Sequence, residues 1–266
     1  MRTVLIPAAL LTLMTLASGC ATVPVTGRTQ INMIPDSQLN TLSLDAYRKV
    51  LGESKVSTDP MAVQTVRDVG QRLAQATESY MSAIGQPIDY EWEFNVIEAD
   101  TVNAWCMPGG KVAVYTGILP ITQSDTGLAV VMGHEIAHAL ARHGNERMSQ
   151  ALILQLGGAT LNAALSSRPE QTRSLFTGLY QTGTQVGVAL PHGRMQESEA
   201  DHIGLIIMAM AGYDPQEAVP FWQRMAEVGG GKRPPEFLST HPDPSTRVAN
   251  LQRLMPEALQ YYQPNR

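Results

Sequence analysis

Apolar residues recur at helical spacing over two early stretches of the chain. The first runs from about Asp36 to Leu51. The second runs from about Pro60 to Ser82, with Val63, Val66, Val69, Leu73 and Ala76 near a helical period, until Gly85-Gln86-Pro87 ends it. The pattern then changes to alternation. Tyr90, Trp92, Phe94 and Val96 fall on one face of a segment ending at Ile97, which predicts a half-buried strand. Asn103 to Met107 and Lys111 to Thr116 flank a Pro108-Gly109-Gly110 turn and predict a β-hairpin. A third helix is expected from Ser124 or Asp125, both good caps, to about His143-Gly144, and a fourth carries Glu197. Gly212-Tyr213-Asp214-Pro215 opens an amphipathic helix over Gln216 to Val228. A Gly- and Pro-rich loop then leads to a terminal helix from Asp243 to Met255.

This order of elements predicts an α+β fold, mostly helical, with a small sheet or hairpin beside the third helix. Residues 149–167 and 174–191 carry no charge, and each approaches the length of a membrane span. Gln150, Gln155, Asn162, Gln181, Thr182, Thr184 and Gln185 interrupt them, and Gly157-Gly158 weakens the first. They are therefore read as helices flanking a cleft and serving as a lid, in preference to a membrane hairpin.

The first twenty residues have a different character. Arg2 precedes an apolar run from Val4 to Leu16, and Leu16-Ala17-Ser18-Gly19-Cys20 forms a processing site of small residues before a cysteine. This pattern resembles a bacterial lipoprotein signal, so residues 1–19 are expected to be removed and Cys20 lipidated. Two or more acyl chains would anchor the product through its N-terminus. Ala21, in place of an aspartate, points to the outer membrane, facing the periplasm. Residues 20–35 are expected to form a lipidated, extended tether with breakers at Pro24 and Gly27, and residues 36–266 one domain. Lipidation leaves Cys106 alone, so no structural disulfide is expected; Cys106 reads as a small buried hydrophobe.

Loss of Arg2 with the signal leaves 18 basic against 24 acidic residues, a net charge of −6. With no basic block and no aromatic-basic interleaving, nucleic acid is excluded as a partner on electrostatic grounds. A 44% hydrophobic content is enough for a sizeable core.

The chemistry concentrates in His134-Glu135-Ile136-Ala137-His138. Residues four apart share a helix face, so His134 and His138 can aim two imidazoles at one point. Glu135, rotated by roughly 100° from His134, lies beside that point. This is the spacing of a zinc site with an adjacent general base. The flanks from Val130 to Leu140 carry no charge except Glu135, as in a buried helix. If the two histidines merely bonded carbonyls, Glu135 would be left buried and unpaired, which is costly. Catalytic zinc takes a third protein ligand, and Glu197 is the best candidate. Asp201, four residues on, is placed to accept the second ring N–H of a ligand histidine. Glu199 is expected to be a solvated carboxylate on the same helix. His143 is five residues past His138 and is expected to be structural.

A wider set of residues carries a resemblance. Asn103-Ala104-Trp105 and Pro108-Gly109-Gly110 come first, followed by HEIAH at 134–138. Arg194, Glu197 and Ala200-Asp201 come next, and then Ser239-Thr240-His241-Pro242 with Arg247. In that order they resemble the CAAX-prenyl-protease-type zinc metallopeptidases, peptidase family M forty-eight, and in particular its small bacterial lipoprotein members. The likeness covers roughly residues 25 to 255. It implies a zincin-like domain in which His134, His138 and Glu197 bind one Zn2+ and Glu135 is the catalytic base. It also favours a functional role for His241, in bonding the oxyanion or in blocking the open metal position. Cys106, Met107 and His192 depart from the family's usual residues at their positions.

An edge strand at Asn103-Ala104-Trp105 would bind extended or unfolded polypeptide by strand addition, without reading side chains. The implied activity is hydrolysis of misfolded or unassembled envelope proteins, with envelope assembly machinery as a possible partner. Three rival readings of the same residues stay open. A non-catalytic envelope chaperone or assembly factor would keep its activity when Glu135 becomes Gln. A structural lipoprotein would bind no stoichiometric zinc. A latent protease, held shut by His241 or a lid, would gain activity when His241 is replaced.

Overall fold

The computed structural model describes residues 20–156, 193–229 and 244–264, together with 170, 172, 237, 238 and 241. Two short strands, β1 (Cys20–Thr22) and β2 (Thr29–Ile31), pair antiparallel with Cys20 opposite Ile31. Val25 and Gly27 both adopt φ of 69° in the connecting turn. The expected extended tether is thus a folded hairpin instead. Its cause is visible in the side chains: Val23 is buried in the main core, and Gln30 Nε2 donates to the Ala141 carbonyl at 2.8 Å.

Helices α1 (Asp36–Glu53) and α2 (Pro60–Ala83) follow close to where periodicity places them. Asp59 caps α2 by accepting the Met61 N–H, and Pro60 occupies the first turn, where no N–H is needed. Val66, Val69 and Leu73 are fully buried along its inner stripe. Tyr47 is the buried anchor of α1, its hydroxyl donating to the Val112 carbonyl at 3.1 Å.

The sheet comprises β3 (Glu93–Ile97), β4 (Ala104–Met107) and β5 (Lys111–Tyr115), in the order β3-β5-β4. β5 is central, parallel to β3 and antiparallel to β4. The expected hairpin is therefore β4–β5. Its turn needs glycine: Gly109 and Gly110 both have φ of 83°, and a Cβ on Gly110 would lie 2.8 Å from the Trp92 ring. Ala104 and Cys106 face the main core. Trp105 and Met107 join Tyr47 in a second cluster, with the Trp105 and Tyr47 rings edge to face at 5.7 Å. Burial pushes the Cys106 thiol pKa up, so it remains a protonated hydrophobe.

A 3₁₀ turn (Thr116–Ile118) and short helix α3 (Leu119–Thr122) lead to α4 (Asp125–Leu140). Ser124 caps α4, its Oγ accepting the Gly127 N–H at 3.0 Å. Every residue from Gly127 to Leu140 is buried, which suits a helix apolar on all sides and places α4 at the centre. It ends three residues earlier than expected. Arg142 adopts φ of 56°, breaking the helix, and α5 (His143–Leu156) starts in a new direction. Only the first part of the uncharged 149–167 stretch is described, within α5; the rest of it and 174–191 lie outside the described residues.

Helix α6 (Gly193–Met210) carries Glu197 and packs directly on α4. The two backbones touch at Gly133 and Gly204, where a Cβ on either would lie 3.1–3.2 Å from the other's carbonyl oxygen. A 3₁₀ turn (Pro215–Glu217), α7 (Ala218–Gly229) and α8 (Pro244–Tyr261) complete the order. α8 continues past Pro256 because Leu254 and Ala258 extend its buried stripe. The fold is α+β and mostly helical, and no described helix is long and apolar enough to cross a membrane.

Candidate metal centre

α4 brings His134 and His138 to one face, α6 presents Glu197, and His241, whose backbone N–H donates to the Phe237 carbonyl, completes the group. All four are buried, and their ligand atoms lie within 4.8 Å of one another. His134 Nε2 is 3.0 Å from His138 Nε2 and 3.4 Å from Glu197 Oε2. His138 Nε2 is 3.3 Å from Glu197 Oε1. His241 Nδ1 is 3.0 Å from both Glu197 oxygens and 3.3 Å from His134 Nε2.

These spacings test whether a metal fits. Ligand atoms about 2.0–2.1 Å from one zinc at tetrahedral angles stand about 3.3–3.4 Å apart. Imidazole nitrogens and a carboxylate converging in a buried space also repel one another unless a proton or cation lies between them. Spacing and donor chemistry both fit Zn2+, held by His134, His138 and Glu197, with His241 on the fourth side.

Protonation supports the same reading. Burial pushes the His138 pKa well below its ordinary value despite Glu197, leaving a neutral imidazole. Burial opposes the charge on Glu197, but His241, His138 and His134 outweigh it and hold the carboxyl well below the usual range. Burial and the Arg247 charge lower the pKa of His134, while its bonds to Asp201 and Glu197 raise it to about 9. Metal binding takes the imidazole in its neutral form and so would compete with a proton on His134.

Glu135 projects beside the cluster. Its Oε1 is buried and lacks a hydrogen bond, although His241 Nε2 lies 3.4 Å away, outside hydrogen-bond geometry. Burial raises its pKa, with His241 and His134 acting in opposition. A free oxygen and a raised pKa suit a group that takes up and releases a proton.

Asp201 Oδ1 lies 3.1 Å from His134 Nδ1 and accepts from Arg247 Nη2 at 2.6 Å and Nε at 3.0 Å. Arg247 also donates to Glu197 Oε2 at 3.1 Å, and its guanidinium lies 3.5 Å over the Trp222 ring. It therefore touches both Glu197 and Asp201 directly. Phe237 packs against both His241 and Trp222, at 4.5 and 5.7 Å between ring centroids.

Glu199 is not the solvated carboxylate expected. It is buried, lies 3.2 Å from His143 Nε2 and accepts from Thr26 Oγ1 and Arg28 Nε at 2.7 and 2.8 Å. Burial raises its pKa, but these three partners bring it down to about 2. The break at Arg142 folds His143 back until its Nδ1 is 2.8 Å from His138 Nδ1. His143 thus stays off the metal face, as its position predicts, yet touches a ligand. Ala104 and Trp105 start β4 and Asn103 directly precedes it; β4 has no strand on its outer edge among the described residues. Asn103 and Ala104 are buried and Trp105 half-buried.

Comparison with known proteins points to one family. The mitochondrial metalloendopeptidase OMA1 of Saccharomyces cerevisiae is 34% identical over 225 residues, 82% of this chain and 62% of that protein. Human OMA1 is 31% identical over 244 residues, covering 89% and 46%. The β-barrel assembly-enhancing protease of Escherichia coli is 29% identical over 208 residues, covering 76% and 41%. The chain thus spans about two fifths to three fifths of the length of these relatives. The family model described as peptidase family M48 matches residues 67–255, which include every residue of the centre. The chain belongs to peptidase family M48.

Proposed function

We propose that the chain is a zinc-dependent endopeptidase that cleaves misfolded or unassembled proteins of the bacterial cell envelope. The observation that carries the reading is the buried donor set of His134, His138 and Glu197 beside the unbonded oxygen of Glu135. Zinc held there would supply Lewis-acid activation of water and of the scissile carbonyl. Glu135 takes the proton from the attacking water and delivers it to the leaving amine. Asp201 fixes the ring of His134 through Nδ1, and Arg247 holds Asp201 and Glu197 in place. The side chain of His241, which faces the same cluster, would be placed to stabilise the oxyanion. An extended substrate adds to the outer edge of β4 at Asn103-Ala104-Trp105.

Location belongs to the same proposal. The Leu-Ala-Ser-Gly-Cys sequence at 16–20 supports lipidation of Cys20 and attachment to the outer membrane, facing the periplasm. The likeness to an E. coli protease named for β-barrel assembly supports an envelope role, while the OMA1 relatives are mitochondrial. The decisive experiment is casein cleavage by the zinc-loaded mature protein beside Glu135→Gln. Loss of a general base lowers the rate by about 10²–10⁴-fold, so the variant should hold one zinc and scarcely cut. Equal cleavage by both proteins overturns the assignment. A chaperone or assembly factor would instead lose nothing in its envelope role on this substitution.

The position of His241 favours a second reading, that this arrangement is a latent resting form. Its Nδ1 occupies the side of the cluster that catalytic water needs. Replacing His241 with Ala should raise casein cleavage if release of this side chain limits turnover. A fall would assign His241 to the reaction alone, and unchanged cleavage would remove it from both roles.

A further inference from the structure

The outer side of His138 continues into a buried chain of hydrogen bonds whose far end lies on the N-terminal hairpin. With Nε2 directed into the ligand cluster, the ring proton of neutral His138 belongs on Nδ1. That atom is 2.8 Å from His143 Nδ1, which must then accept. The proton of His143 therefore sits on Nε2, 3.2 Å from Glu199 Oε2. Glu199 is in turn held by two donors from the hairpin turn, Thr26 Oγ1 on Oε1 and Arg28 Nε on Oε2. The terminal nitrogens of Arg28 grip both oxygens of Glu146 at 2.7 and 2.8 Å. Each member accepts or donates in only one consistent direction, so the orientation of one ring fixes the next.

Thr26 and Arg28 lie outside residues 67–255, the part matched by the family model. Neither belongs to the helices that supply the ligands. We propose that Arg28, with Thr26, is a positioning residue for the metal centre, orienting His138 through Glu199 and His143. The inference rests on the reading that His134, His138 and Glu197 hold zinc. The hydrogen-bond partner of a ligand histidine's second nitrogen sets its ring orientation and basicity, and loss of such a partner costs about 10–100-fold in metal affinity. Arg28 acts two residues beyond that partner, His143, through the Glu199 carboxylate that it clamps. Lysine supplies the charge without arginine's planar fork.

The test measures zinc affinity by chelator competition and the visible spectrum of the Co2+-substituted protein. Wild type is compared with Arg28→Ala, Arg28→Lys and Thr26→Val. Val66→Ala, a core truncation on α2 remote from the chain of bonds, controls for lost stability. The expected result is a loss of up to about 10–100-fold in zinc affinity for Arg28→Ala, a smaller loss for Arg28→Lys, and a shifted Co2+ spectrum for both. Val66→Ala should keep the wild-type affinity and spectrum. Thr26→Val, which leaves the buried ion pairs intact, should show a few-fold loss and stands in if Arg28→Ala does not fold. Wild-type affinity and spectrum in the Arg28 and Thr26 variants, or an equal loss in Val66→Ala, overturn the proposal. A wild-type protein that binds no zinc overturns the underlying metal assignment, and this proposal with it.

Discussion

Replacing Asp201 by Ala separates the stability of the centre from its metal chemistry. Asp201 Oδ1 is the common acceptor for two nitrogens of Arg247 and lies 3.1 Å from His134 Nδ1. The side chains of Asp201 and Arg247 are only 4% and 3% exposed, so water cannot replace the lost carboxylate. Truncating one member of such a buried pair costs about 3–5 kcal/mol. For a chain of this size, 1 kcal/mol moves Tm by about 2–4 °C, so zinc-free Asp201→Ala should melt about 6–20 °C below wild type. His134 also loses the partner of its outer nitrogen, which should weaken zinc binding by about 10–100-fold. Asp201→Asn keeps an acceptor oxygen for Arg247 without the charge and should recover part of the Tm. Circular dichroism melts of the zinc-free proteins and chelator competition on the loaded ones supply the two numbers. A Tm within about 2 °C of wild type, together with unchanged zinc affinity, would refute both the buried pair and the orienting role.

Two further perturbations probe the support of the site. Gly204→Ala places a Cβ 3.1 Å from the Gly133 carbonyl and the His134 amide nitrogen. Overpacking costs about 1–3 kcal/mol against about 1 kcal/mol gained in helix propensity, so urea unfolding should show a net loss and zinc should bind more weakly. A more stable variant with native zinc affinity would contradict the close contact. Burial raises the Glu146 pKa, but Arg28 and Gln196 outweigh it and bring it below its ordinary 4.5. As pH falls from 4.5 toward the depressed folded value, the unfolded chain binds more protons, so this contribution to stability is present above that window and is lost through it. In urea titrations across this range, the stability gap between wild type and Glu146→Gln should shrink as pH falls; a constant gap would show that Glu146 is not the group responsible.

The sequence was most legible where local chemistry and tertiary context agree. Asp59-Pro60 starts α2 by capping alone, and the four-residue spacing of His134 and His138 needs only a helix to bring the rings together. Gly109 and Gly110 placed the β4–β5 turn because few other residues adopt their φ. The misreadings share a cause. Glu199 looks solvent-facing because its cation, Arg28, is 171 residues away in a stretch without periodicity. His143 is off the metal face of a continuous helix, and nothing in Ala141-Arg142 announces the left-handed residue that turns its ring back. The parallel pairing of β3 with β5 was equally hidden, since alternation reports a strand but not its partner. A lone arginine in the Thr-Gly-Arg turn and a histidine just past the zinc motif were the available signals for the outer chain of bonds.

The hairpin at residues 20–31 also bears on where the enzyme can work. A free tether over residues 21–35 would let the cleft range up to about 50 Å from its lipid, at about 3.4 Å per extended residue. Because β1 begins at Cys20 itself and Arg28 is clamped beneath α5 and α6, that slack is taken up within the fold. A lipid on Cys20 would therefore hold the catalytic body against the bilayer surface. Its working zone would then be a thin layer at the membrane, and the bulk of the compartment would lie beyond its reach.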